Sequence, residues 1–129
     1  MITPGQDCPT KSSPEEIAWY TVRTLSRSIV PALPGVCFLS GGQSEEEASQ
    51  HLNAMNRVTG IPRPWFLTFS FGRALQSSVL KAWSGKPENV PAAQDKLRER
   101  AEANGLATLG QYQGGTGETA SDFVANYRY

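Results

Sequence analysis

The feature that most restricts how this chain can fold lies in residues 36–71. Val36-Cys37-Phe38-Leu39 is an unbroken apolar run set between Pro34-Gly35 and Ser40-Gly41-Gly42, and Trp65 through Phe71 is a second, aromatic-rich run introduced by Pro62-Arg63-Pro64. Between them Ser44-Glu45-Glu46-Glu47 has the spacing of a capping box, and Ala48, Leu52 and Met55 follow on one helical stripe. The first run does not alternate with polar residues and suits a strand buried on both faces, and the second is aromatic-rich and of strand length. Strand, helix and strand in so short a stretch is a βαβ crossover, and such units build parallel sheets covered by helices. The expected class is α/β.

The flanks fit that class. Ser13 is placed to cap a helix, Pro14 suits its first position, and Glu16 completes a capping box. Ala18, Val22, Leu25 and Ile29 then form one stripe before Pro31, Pro34 and Gly35, which predicts a helix over 14–29. After Gly72 the stripe Leu75, Val79 and Ala82 marks another helix, and Gly85-Lys86-Pro87 separates it from a longer one over 90–108 with Ala93, Leu97 and Ala101 inward. From Gly110 on, the Gly114-Gly115-Thr116-Gly117 run reads as mobile. The expected division is therefore a packed part, 1–109, and a flexible C-terminal tail, 110–129.

Charge excludes some partners. The 129 residues carry 12 Lys and Arg against 12 Asp and Glu, which leaves no global field to attract nucleic acid or an anionic membrane. No run approaches the roughly 20 apolar residues of a membrane span, and the opening residues lack the basic and apolar regions of a signal peptide. Cys8 and Cys37 follow no metal-binding spacing and read as reduced thiols in a cytosol-like compartment; no metal is expected.

Both strands end in the same kind of feature, Leu39-Ser40-Gly41-Gly42-Gln43 after the first and Phe71-Gly72-Arg73 after the second. Glycine lets backbone amides approach an anion, a serine hydroxyl adds a donor, and an arginine fork grips phosphate oxygens in pairs. On adjacent parallel strand ends they suggest one phosphate pocket, and in (β/α)8 barrels the loops after the last two strands often form such a site. Other candidates have plainer readings. Glu45, Glu46 and Glu47 suit a solvated helix start, and the sole histidine, His51, suits a helix surface. Lys11, Lys81, Lys86 and Lys96 lack the desolvation or cationic neighbour that a Schiff-base lysine needs. Trp19, Trp65 and Trp83 read as packing residues.

The runs Phe38-Leu39-Ser40-Gly41-Gly42-Gln43-Ser44-Glu45-Glu46-Glu47-Ala48 and Leu67-Thr68-Phe69-Ser70-Phe71-Gly72-Arg73-Ala74-Leu75 closely resemble class I fructose-bisphosphate aldolase. Leu52 to Asn56, Leu80 to Trp83, Glu88-Asn89 and the terminal Tyr129 extend the resemblance over essentially the whole chain. It implies the C-terminal part of a (β/α)8 barrel, with its last two strands and helices and a flexible tail, short of a closed barrel. It also implies reversible cleavage of fructose 1,6-bisphosphate to dihydroxyacetone phosphate and glyceraldehyde 3-phosphate through a lysine Schiff base, in glycolysis and gluconeogenesis, with no cofactor.

Carried over residue by residue, Ser40 and the Gly41 amide would hold a substrate phosphate with the Leu39 backbone nearby. Gly72 and Arg73 would complete the grip, and Tyr129 would be the mobile terminal tyrosine implicated in proton transfer at the enamine carbon. The family's nucleophile lies in a Lys-Pro-Asn run, and Met1 to Gly5 resembles the residues immediately C-terminal to that run. The expectation is therefore a fragment that lacks the essential lysine and is inactive alone. The resemblance further implies a homotetramer for the full-length protein and a cytoplasmic location, or a plastid one. A non-catalytic sugar-phosphate-binding or protein-interaction remnant is the alternative.

Overall fold

The computed structural model describes residues 1–128; Tyr129, and with it the role expected of the terminal tyrosine, lies outside the described residues. The first helix, α1, spans Pro14–Ser28, and both bonds of its capping box form: the Ser13 hydroxyl accepts the Glu16 amide at 3.2 Å, and the Glu16 carboxylate accepts the Ser13 amide at 3.2 Å. Strand β1 (Gly35–Phe38) leads into α2 (Glu45–Arg57), whose own capping box pairs Ser44 with Glu47. Strand β2 (Phe66–Phe69), helix α3 (Arg73–Trp83), a 3-10 turn over Pro87–Asn89 and helix α4 (Val90–Thr108) complete the order.

The strands pair in parallel with Gly35 opposite Phe66 and Phe38 opposite Phe69, so the 36–71 region is the crossover its pattern predicts. The chain has the α/β class. A single core lies under the sheet, where Val22 of α1, Leu52 and Met55 of α2, Leu67 of β2 and Ala107 of α4 meet. Trp65 is buried beside them and donates its indole N–H to the Val30 carbonyl at 2.9 Å.

Four expectations need correction. The strands are not buried on both faces: Phe66 is 82% exposed and Leu39, just past β1, is 50% exposed. Helices α2 and α4 pack on β2, and among the described residues nothing covers the other face of this two-stranded sheet. The inward face of α4 is Ala93, Arg100, Ala103, Asn104 and Ala107, with Leu97 and Ala101 outward. Its register is set by Arg100 and Asn104, which have polar partners on α2 and α3. Likewise α3 buries Ala74 and Ser78, one residue earlier in register than the stripe Leu75, Val79 and Ala82. Of the three tryptophans only Trp65 is a core residue; Trp19 and Trp83 stand half exposed on α1 and α3.

The segment from Gly110 opens with a packed strap. Tyr112 is buried, and the Gly115 and Gly117 amides donate to Glu46 while the Glu118 amide donates to Glu45. Gly117 runs so close to α2 that a Cβ there would lie 2.7 Å from the Glu46 nitrogen, so no larger residue fits without moving backbone. Among the described residues no helix is long and apolar enough to cross a membrane, and both thiols are free and exposed.

Candidate functional site

Because β1 and β2 run in parallel, their C-terminal ends lie side by side, and the two loops singled out in the sequence open at the same edge of the sheet. Ser70 ties them together by donating its amide to the Phe38 carbonyl at 2.8 Å. In the first loop Ser40 is buried, and its carbonyl accepts both the amide nitrogen and the side-chain nitrogen of Gln43, at 3.1 and 2.7 Å. This tight turn needs Gly41 at φ +61, a left-handed conformation that glycine enters without cost. Across the edge Gly72 opens α3 with no side-chain cap, in contrast to α1 and α2. Arg73 is the first residue of α3, where helix amides favour an anion.

Gly41 and Arg73 line one cavity of about 270 Å³. Of the expected site residues, Ser40, Gly41, Gly72 and Arg73 thus gather at one sheet edge, and Leu39 leads into the turn from β1. The remaining walls come from the C-terminal segment: Phe123, Val124, Asn126 and Tyr127. The Arg73 guanidinium donates to the Asp122 carbonyl and lies 4.3 Å from the centre of the Tyr127 ring. Sequence reasoning placed only Tyr129 of this segment at the site, because an irregular polar stretch carries no period that fixes where it lands.

Behind the site, Glu45 and Glu46 are buried, which corrects their reading as a solvated helix start; only Glu47, occupied in the capping box, is exposed. Glu45 accepts the Ser78 amide and hydroxyl at 3.0 and 2.9 Å and faces Arg100 Nε at 3.6 Å, with both charged side chains fully buried. Glu46 accepts the Tyr112 hydroxyl at 2.7 Å together with the two strap amides. Burial pushes the Glu46 carboxyl up, but the hydrogen bonds from Tyr112, Gly115, Gly117 and Gln50 together bring it below the usual glutamate value. Burial, and then the bond to Glu46, raise Tyr112.

His51 is also buried, not a surface residue, and desolvation lowers its pKa. Its Nδ1 lies 2.5 Å from Gln43 Oε1. Since Gln43 spends its side-chain nitrogen on the Ser40 carbonyl, its oxygen accepts, and His51 carries its proton on Nδ1. Lys81 is exposed and paired with Glu118, whose hydrogen bond raises its pKa, the opposite of what a nucleophilic amine requires.

The sequence model of a family described as class-I fructose-bisphosphate aldolase matches residues 1–129. Fructose-bisphosphate aldolase C of Rattus norvegicus is 58% identical over 132 aligned residues, which cover all of this chain and 36% of the rat protein. Fructose-bisphosphate aldolase, cytoplasmic isozyme 2, of Pisum sativum is 59% identical, with all of this chain and 36% of the pea protein covered. Among solved structures, the aldolase of Plasmodium falciparum in complex with TRAP and a small-molecule inhibitor superposes with a TM-score of 0.84 at 58% identity, over 89% of this chain and 33% of that one. The chain thus spans 36% of the length of the rat and pea proteins it matches.

Proposed function

The chain belongs to the class-I fructose-bisphosphate aldolases, and on that premise we propose that it supplies the substrate-phosphate end of an aldolase site. The reaction is the reversible cleavage of fructose 1,6-bisphosphate to dihydroxyacetone phosphate and glyceraldehyde 3-phosphate. One observation carries this reading: the parallel register brings Gly41 and Arg73 from separate loops into the wall of a single cavity. In it the Arg73 fork binds two phosphate oxygens. The backbone amides at Gly41 and Gly72 and the Ser40 hydroxyl take the others, with the Leu39 backbone setting the turn.

No lysine of this chain is assigned the Schiff base. The carbonyl chemistry belongs to the longer aldolase, in which β1 and β2 are two strands of a (β/α)8 barrel. The uncovered sheet face and open edges support that placement. Residues 1–109 form the barrel part and residues 110–129 the tail, which is anchored at 112–118 and carries Tyr129 toward the site for proton transfer at the enamine. A homotetramer and a cytoplasmic location complete the proposal; the pea relative is named a cytoplasmic isozyme.

Arg73→Ala, made in a full-length aldolase carrying this sequence, is expected to weaken dihydroxyacetone phosphate binding by roughly 1.5–3 kcal/mol, since the charged partner of the phosphate is removed. Calorimetric titration measures it. Unchanged affinity would put the phosphate elsewhere.

A further inference from the structure

We propose that Gln43 and His51 are positioning residues of the phosphate site, acting through the Ser40 carbonyl to aim the Gly41 N–H at a bound phosphate. The inference rests on the phosphate reading of Gly41 and Arg73. The Ser40 C=O and the Gly41 N–H belong to one planar peptide unit and point in opposite directions, so whatever holds the carbonyl also fixes the amide. One residue holds that carbonyl twice: the Gln43 amide donates to it at 3.1 Å, and Gln43 Nε2 donates to it at 2.7 Å. The carbonyl is thereby drawn toward the head of α2, and the Gly41 N–H is turned away from it. Neither the Gly41 amide nor the Ser40 hydroxyl has a hydrogen-bond partner among the described residues, so both donors are open to an anion.

The turn needs such a brace because it is made of two glycines, Gly41 at φ +61 and Gly42 at φ +94. With no Cβ at either position the Ser40–Gly41 peptide can rotate at small steric cost, and the flipped unit would present a carbonyl oxygen to the phosphate. Gln43 resists that rotation only while it is itself fixed. Its backbone is continuous with the capping box of α2, where the Ser44 amide donates to the Glu47 carboxylate at 3.0 Å. Its side-chain oxygen accepts from His51 Nδ1 at 2.5 Å, and His51 is buried two turns into the same helix. With the oxygen of the Gln43 amide facing the imidazole, its nitrogen faces the Ser40 carbonyl. Neither Gln43 nor His51 lines the cavity shared by Gly41 and Arg73, so both act through the loop and not on the ligand.

The test uses a full-length aldolase carrying this sequence, with dihydroxyacetone phosphate titrated by calorimetry, steady-state cleavage of fructose 1,6-bisphosphate, and a melting temperature for each variant. Gln43→Met keeps the length of the side chain and removes its polar atoms. It is expected to weaken binding about tenfold, the low end for a hydrogen bond to a charged group because the correct peptide orientation stays accessible. KM is expected to rise by a similar factor with kcat changed less than about twofold, since the contact serves substrate and transition state alike. His51→Leu, which deletes the donor, is expected to lose about three- to fivefold, and His51→Gln, which keeps one, to bind within about twofold of the parent. If His51→Gln loses as much as His51→Leu, donation to Gln43 is not what holds the loop, and the part given to His51 is overturned. If Gln43→Met and His51→Leu melt earlier but bind as the parent does while Arg73→Ala loses affinity, the phosphate site stands and the positioning is wrong. If Arg73→Ala also binds as the parent does, both readings fall.

Discussion

At His51, burial and titration meet in one side chain. The imidazole is kept neutral because charging it would place a cation in a desolvated position, so its pKa in the folded chain lies below the 6.5 of an exposed histidine. The unfolded chain thus binds a proton more readily. Stability is at its full value above pH 6.5 and falls as pH drops below it, until the folded form titrates as well. Glu46, held below the 4.5 of an ordinary glutamate, adds a second and separate loss only as pH falls beneath that value. Urea-unfolding midpoints from pH 7.5 to about 5 are expected to decline for the wild type and to be flatter for His51→Gln, which keeps a donor for Gln43 and cannot charge. A wild-type midpoint independent of pH over that range would contradict the burial of a neutral imidazole. The sequence could not reveal this burial, because the stripe Ala48, Leu52 and Met55 accounts for only one face of α2. In the fold α2 is packed by α1, α3 and α4, so polar residues off the stripe are enclosed too.

Elements whose signals are local were legible, and those whose partners lie far along the chain were not. Each capping box spans four residues, and both form as spaced; the short strands and the parallel crossover agree with composition and length. The face of α4 does not. Arg100 donates to the Glu45 carbonyl, the Ser49 hydroxyl and the Ala74 carbonyl, and Asn104 accepts from Ser49, partners that no hydrophobic period along α4 encodes. The caps themselves differ in environment. Ser44 is buried at the head of α2, next to Glu45 and Glu46 to which the strap is fastened, whereas Ser13 is exposed at the head of α1. Deleting the Ser44 hydroxyl leaves the Glu47 amide without its acceptor in a place water reaches poorly. Ser44→Ala is therefore expected to cost about 1–2 kcal/mol, and Ser13→Ala about 0.5–1 kcal/mol, in thermal or urea unfolding. Equal losses at the two sites would mean that the burial of Ser44 adds nothing to the cost of losing its cap.

For the whole molecule the open question is what the sheet packs against, and the surface area bears on it. A compact 14.0 kDa monomer exposes about 6,700 Å² by the usual scaling with mass. This chain exposes 7821 Å². The excess, roughly 1,100 Å², is as large as one partner's share of a stable protein interface. Two apolar places stand out: Phe66 is 82% exposed on β2, and Leu80, Trp83, Val90 and Leu97 form an apolar groove between α3 and α4. Among the described residues both outer edges of the two-stranded sheet are unpaired, which invites strand addition. A 129-residue chain with this surface is expected to associate, its weight-average mass in sedimentation equilibrium rising above 14.0 kDa with concentration. Phe66→Ser should reduce that association without unfolding the chain, because its side chain contributes almost nothing to the core that Leu67, one residue on, helps to fill. In a full-length aldolase the same substitution should act in the opposite sense and destabilise, since there the uncovered face of β2 is proposed to be barrel interior. A monomer at all concentrations, together with a full-length Phe66→Ser variant as stable as its parent, would show that this face needs no partner.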